Sequence, residues 1–160
     1  MNNTLSSAPN AGLVKRFAAM LYDTLLLFGV LFTATLIPAL LLSGSQQQNA
    51  NGDVVHELHP LMTGLTFQLY LLFIVVLFFS VFWRKQGQTL GMQAWKLKLV
   101  NRHNQAPTIT ECLLRLLYAT ISFACLGMGY WWLWIDKEQL TWHDRWSKTR
   151  VLQLSKTQQQ

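Results

Sequence analysis

Few side chains in this sequence could do chemistry, and their positions are informative. Arg16 and Asp23 stand seven residues apart, so on a helix they share one face, two turns from each other. Asp23 sits at the edge of a long apolar run. A charge at the centre of a membrane helix costs about 2.5–3.5 kcal/mol on insertion scales, so a carboxylate there needs a reason. Either it faces a helix bundle, where it can bind a cation or a proton, or headgroups solvate it and a lysine or arginine pairs with it. Near the other end, His143 and Asp144 are adjacent and Arg145 follows. That triplet could hold a proton relay, or it could cap the tail onto a membrane surface. Glu111 and Arg115 are secondary candidates: four apart, acid first, in the favourable order for a helical ion pair.

Other signals are weaker. His56-Glu57-Leu58-His59 invites a zinc reading, but the protease motif needs its histidines four apart on a helix. Cys112 and Cys125 form no CxxC pair and read as free thiols acting as small hydrophobes. Gly-rich phosphate loops, nucleophile elbows and paired membrane carboxylates are missing. The expectation is a protein that is no enzyme, with no catalytic residues, no metal and no cofactor.

The elements that must position these residues are set by composition. The chain of 160 residues is 51% hydrophobic and 12% charged. An ordinary soluble domain is about a quarter charged, so too few charges are present to cover one. Three uncharged stretches run from Thr24 to Ser43, Leu61 to Trp83 and Leu116 to Ile135. At about 1.5 Å per residue, some 20 helical residues cross a ~30 Å hydrocarbon core. The first two stretches meet that length, and Pro38 can kink the first near its far end. The first exceeds the 7–15 residues or so of a signal peptide's apolar region, with Asp23 at its head, so it reads as an uncleaved span.

Basic residues orient the spans. Lys15 and Arg16 precede the first; Arg84, Lys85, Lys96, Lys98 and Arg102 follow the second; the connection Gly44 to Pro60 has none. The positive-inside rule places the N-terminus in the cytoplasm and that connection on the outer side. The expected location is the plasma membrane, a bacterial inner membrane, crossed in several passes. The net charge of +6 therefore reports topology, and no nucleic-acid partner is expected. The third stretch conflicts with this rule. A full crossing would export a tail carrying Lys137, Arg145, Lys148, Arg150 and Lys156. Gly127 and Gly129 interrupt the stretch, and a re-entrant helical hairpin would keep that tail inside.

Between the second and third stretches, Trp95, Leu97 and Leu99 alternate with Lys96, Lys98 and Val100, the period of a strand with one apolar face. Asn101 to Gln105 would be the turn of a hairpin whose return strand is short or absent; an interfacial helix is the competing reading. Thr108 and Glu111 form a capping box. Trp131, Trp132, Trp134, Trp142 and Trp146 suit an aromatic belt where the chain re-emerges. The fold class is an all-α integral membrane protein: two transmembrane helices, a third apolar helix or re-entrant hairpin, and a short cytoplasmic β-like segment. Residues 1–10 and 153–160 read as disordered termini around a membrane domain at 11–152.

The sequence resembles the RDD family of small membrane proteins, whose name records one arginine and two aspartates. Arg16 and Asp23, in AGLVKRFAAMLYD, match the first two, and Asp144, in TWHDRWSKTRV, matches the last. GQTLGMQAWKLKLV resembles the family's glycine-threonine-glycine segment through Gln88, Thr89 and Gly91; Thr149 and Val151 resemble its terminal threonine-valine element. Leu90 and Met92 depart from a common proline and basic residue, and Trp146-Ser147-Lys148 replaces small residues. The resemblance implies a polar cluster of Arg16, Asp23 and Asp144, with Arg16 bridging both carboxylates if the hairpin forms. It implies a component of ion or small-solute transport, acting as an oligomer with Asp23 lining the path. The alternative is a non-transporting adaptor or assembly factor that docks a partner membrane protein through loop and tail. Either way the lipid bilayer is a partner.

Overall fold

The computed structural model describes residues 8–42, 47–48, 54–55 and 60–155; His56 to His59 lie outside the described residues. The chain divides into two compact units, Leu25–Val75 and the remainder.

Helix α1 spans Leu13–Leu42 and helix α2 spans Leu65–Gln86, both long and apolar enough to cross a membrane. Pro38 lies inside α1, which ends one turn later at Leu42. Within Leu25–Val75, strands β1 (Gln47–Gln48) and β2 (Val54–Val55) pair antiparallel. Phe28, Phe32, Leu36, Leu69 and Phe73 point outward, as a lipid-facing surface requires. Thr33 and Thr35 return their hydroxyl protons to carbonyls of their own helix, so neither hydroxyl is left unmet in lipid.

The other unit begins with the first three turns of α1. Leu13, Arg16, Ala19 and Asp23 are its buried residues, one stripe at helical spacing. After α2 come α3 (Leu90–Ala94), β3 (Leu97–Asn101), α4 (Ile109–Ala124), α5 (Met128–Ile135), α6 (Trp142–Trp146) and β4 (Thr149–Gln153). The alternating segment is a strand, from Leu97 rather than Trp95, with Leu97 and Leu99 fully buried. An interfacial helix is ruled out there. The return strand, expected to be short or absent, is supplied from a distance: β3 pairs antiparallel with β4 from Leu97↔Gln153 to Asn101↔Thr149. Asn101 to Gln105 does turn, because the Asn101 carboxamide oxygen accepts from the His103 and Gln105 N–H groups.

Both edges of this ladder are covered. Ala11 N–H donates to the Val151 carbonyl and Gln153 N–H to that of Pro9, each at 2.9 Å, while Leu99 N–H donates to Gly87 at 2.7 Å. Asn10 bridges to Leu152 on one edge, and Leu154 is buried beyond the end of β4. Below the ladder, Ala11, Ala19, Trp83, Met92, Leu97, Leu99, Cys112 and Val151 form the core.

The third apolar stretch is neither a straight helix nor one helix with a kink. Its halves α4 and α5 meet at 96°. Leu126 (φ 55°) and Gly127 (φ 74°) make the left-handed turn between them. Gly129 lets α5 lie against Ser122, whose Cβ would be 2.8 Å from an added methyl.

Candidate functional site

Asp144 is the centre of the unit's polar interior. Thr141 caps α6 by accepting from the Asp144 N–H, and the Asp144 carboxylate accepts from the Thr141 N–H, each at 3.3 Å. This reciprocal cap holds the carboxylate in place alongside its ion pairs. Its side chain is fully buried. Arg16 Nη1 donates to Oδ2 at 2.5 Å, and Arg115 Nη1 donates to Oδ1. Each guanidinium has a second anchor: Arg16 Nε on the Ala11 carbonyl at 2.9 Å, Arg115 Nη1 on Thr149 Oγ1 at 2.7 Å. The Arg115 guanidinium also lies 5.6 Å from the Trp83 ring centroid, within cation–π range.

Burial by itself would raise the Asp144 pKa, but Arg16 and Arg115 outweigh it and hold the carboxyl well below the usual carboxylate range. His143 packs its ring 4.6 Å from that of Tyr130, with Nε2 4.0 Å from Asp144 Oδ1. Burial, with Arg115 adding to it, pushes the imidazole down to about 3. His143 is thus neutral and Asp144 ionised at neutral pH, so the pair exchanges no proton there. Arg145 points out to Asp136 at 3.0 Å and belongs to the surface.

Asp23 belongs to a separate latch. Its Oδ2 accepts from the Thr89 hydroxyl at 2.5 Å and its Oδ1 from the Gly91 N–H at 2.9 Å. Thr89 in turn accepts from the Met92 N–H, capping α3. A methyl at Gly91 would sit 2.8 Å from the Asp23 carboxylate and closer still to the Ala19 carbonyl, so only glycine lets α3 approach α1 this closely.

Of the six residues singled out by sequence, the structure brings Arg16, Arg115, His143 and Asp144 together. Arg16 does not bridge two carboxylates: it binds Asp144, while Asp23, on the same face, holds the segment after α2. The expected Glu111–Arg115 pair is also replaced. Glu111 Oε2 accepts from the Thr108 N–H at 2.7 Å in the capping box, and Arg115 turns inward to Asp144. Thr141, Thr149 and Trp83 complete the site without having been singled out as its members; the Thr-x-x-Asp spacing at 141–144 was a readable signal for the first. Among the described residues, no group of three His, Cys, Asp or Glu gathers to hold a metal.

No curated protein and no solved structure matches the chain. The RDD family matches residues 10–148, which takes in Arg16, Asp23, Asp144 and nearly all the elements around them. Carrying that match over most of its length, together with helices able to span a membrane, the chain belongs to the RDD family of membrane proteins.

Proposed function

We propose that this protein is a membrane-anchored docking component of the plasma membrane, its N-terminus cytoplasmic, assembling with a partner membrane protein or with further copies of itself. One observation carries the reading: each signature side chain is occupied inside the fold. Asp144 is saturated by two arginines and a backbone N–H, and Asp23 by Thr89 and Gly91. Charges so engaged hold segments of the chain together. The exposed side chains of Arg84, Lys85, Arg102, Lys137 and Lys148 instead offer basic groups to an acidic partner. By the positive-inside rule they also support the cytoplasmic orientation.

Transport of an ion or small solute by an oligomer is the second reading. It is favoured by Asp23, a buried carboxylate inside a span helix whose two hydrogen-bond donors are both neutral. Asp23→Asn separates the two. Asparagine can still accept from Gly91, and its amide can donate to the Thr89 oxygen, so the latch survives while the charge goes. The docking reading expects wild-type protein in vesicles to pass no more cation or solute than empty vesicles. Flux in the wild type that Asp23→Asn abolishes at unchanged expression establishes transport instead.

A further inference from the structure

Strand β3 precedes α4 and strand β4 follows α6, yet the two share a five-residue ladder. Paired strands lie about 4.8 Å apart, whereas a full crossing between them would separate them by the ~30 Å hydrocarbon core. Pro9 and Ala11 bond the other edge of β4, so the lead-in to α1 occupies the same aqueous phase. The α4–α5 stretch therefore enters and leaves by one face.

Its dimensions agree. The nine residues of α4 past Arg115, Leu116 to Ala124, reach about 14 Å, half of the ~30 Å core, and the 8 of α5, turned 96°, run about 12 Å sideways. The chain then comes back down α4: Tyr118 meets Trp146 edge to face at 5.0 Å, and Asp144 reaches Arg115. At the bend the outward surface is apolar, with Phe123 77%, Leu126 91% and Ile135 72% exposed. No charge lies between Leu116 and Ile135. Irregular backbone survives in lipid only if its polar groups are met internally. Here the N–H groups of Cys125, Gly127, Met128 and Tyr130 bond to Ile121, Ser122, Cys125 and Gly127.

We propose that the α4–α5 elbow is a re-entrant wedge seated among the acyl chains of one leaflet, the leaflet on the side of Pro9–Ala11 and β4. Its occupant is lipid: Phe123 and Leu126 meet acyl chains, and the exposed Trp131 and Trp134 indoles lie toward the headgroups. The wedge displaces lipid from one leaflet and leaves the other continuous.

The test uses the full chain in phospholipid vesicles, with both native cysteines replaced by alanine. Leu126→Cys carries an environment-sensitive fluorophore; Gly12→Cys, where a side chain meets nothing within 4 Å, and Ser155→Cys report sidedness. The expected result is a blue-shifted Leu126 label quenched by doxyl groups on acyl chains and not by aqueous iodide. Gly12→Cys and Ser155→Cys should react with an impermeant maleimide from the same side. Reaction of Leu126→Cys from the side opposite Ser155→Cys, quenching by iodide, or quenching by neither agent overturns the wedge, indicating a full crossing, a water-exposed elbow or a protein-covered one. If the Leu126 variant does not fold, native Cys125 in a Cys112→Ala background is the second probe.

Discussion

A carboxylate with no access to water, held by two guanidiniums, makes its own removal costly. Asp144→Asn would leave Arg16 and Arg115 facing each other across a neutral amide, and breaking such a buried arrangement costs about 3–5 kcal/mol. Thermal unfolding in detergent should show a much lower midpoint for Asp144→Asn than for Asp23→Asn, whose partners are neutral donors that asparagine still satisfies. Equal losses would mean that the arginines find other acceptors. His143 adds a pH dependence of known sign. Its imidazole is neutral when folded, down to about 3, but takes a proton near its ordinary 6.5 when unfolded. Its contribution is therefore complete above about pH 6.5 and declines by about 1.4 kcal/mol per pH unit as pH falls toward 3. Melting between pH 7 and pH 5 should show the decline, and His143→Phe, which keeps a ring against Tyr130, should flatten it. A wild-type profile level across that range would contradict the buried neutral imidazole. Asp144 contributes no change in this window, since its carboxyl ionises well below the usual range.

Among the elements, the short helix α3 depends on the absence of a side chain. Gly91→Ala forces α3 away from α1 and should cost about 1–3 kcal/mol, as overpacking generally does. The same substitution stretches the Asp23 hydrogen bonds, so Gly91→Ala and Asp23→Ala together should cost less than the sum of the two alone. Additive losses in the same melting assay would show that the glycine and the carboxylate are not coupled. The sequence announces α1, α2, the capping box at Thr108 and the strand near Leu97 through length, spacing and alternation. It does not announce β4. The return strand lies some fifty residues on, past three helices, and no local pattern names a partner at that distance. Glu111 and Arg115 fail for a related reason: helical spacing permits their pair, but a capping box and a buried aspartate, both stronger, claim the two side chains.

For the molecule as a whole, scarcity of charge was the most legible property. It separates lipid-facing helices from the polar-edged unit built on the β3–β4 ladder, and it makes Arg16, Asp23 and Asp144 conspicuous. Which of them would meet was legible only in part, because a shared helix face predicts common exposure and not common partners. The long-range pairings carry one more consequence, for synthesis. Arg16 and Asp144 are separated by 128 positions. At about 5–20 residues per second, a ribosome needs roughly 6 to 26 s between them. Throughout that interval Arg16 lacks Asp144, and the lead-in residues have no strand to bond. A chain stalled before residue 144 therefore keeps Arg16 without its native counter-charge, and cannot close the polar interior of the fold.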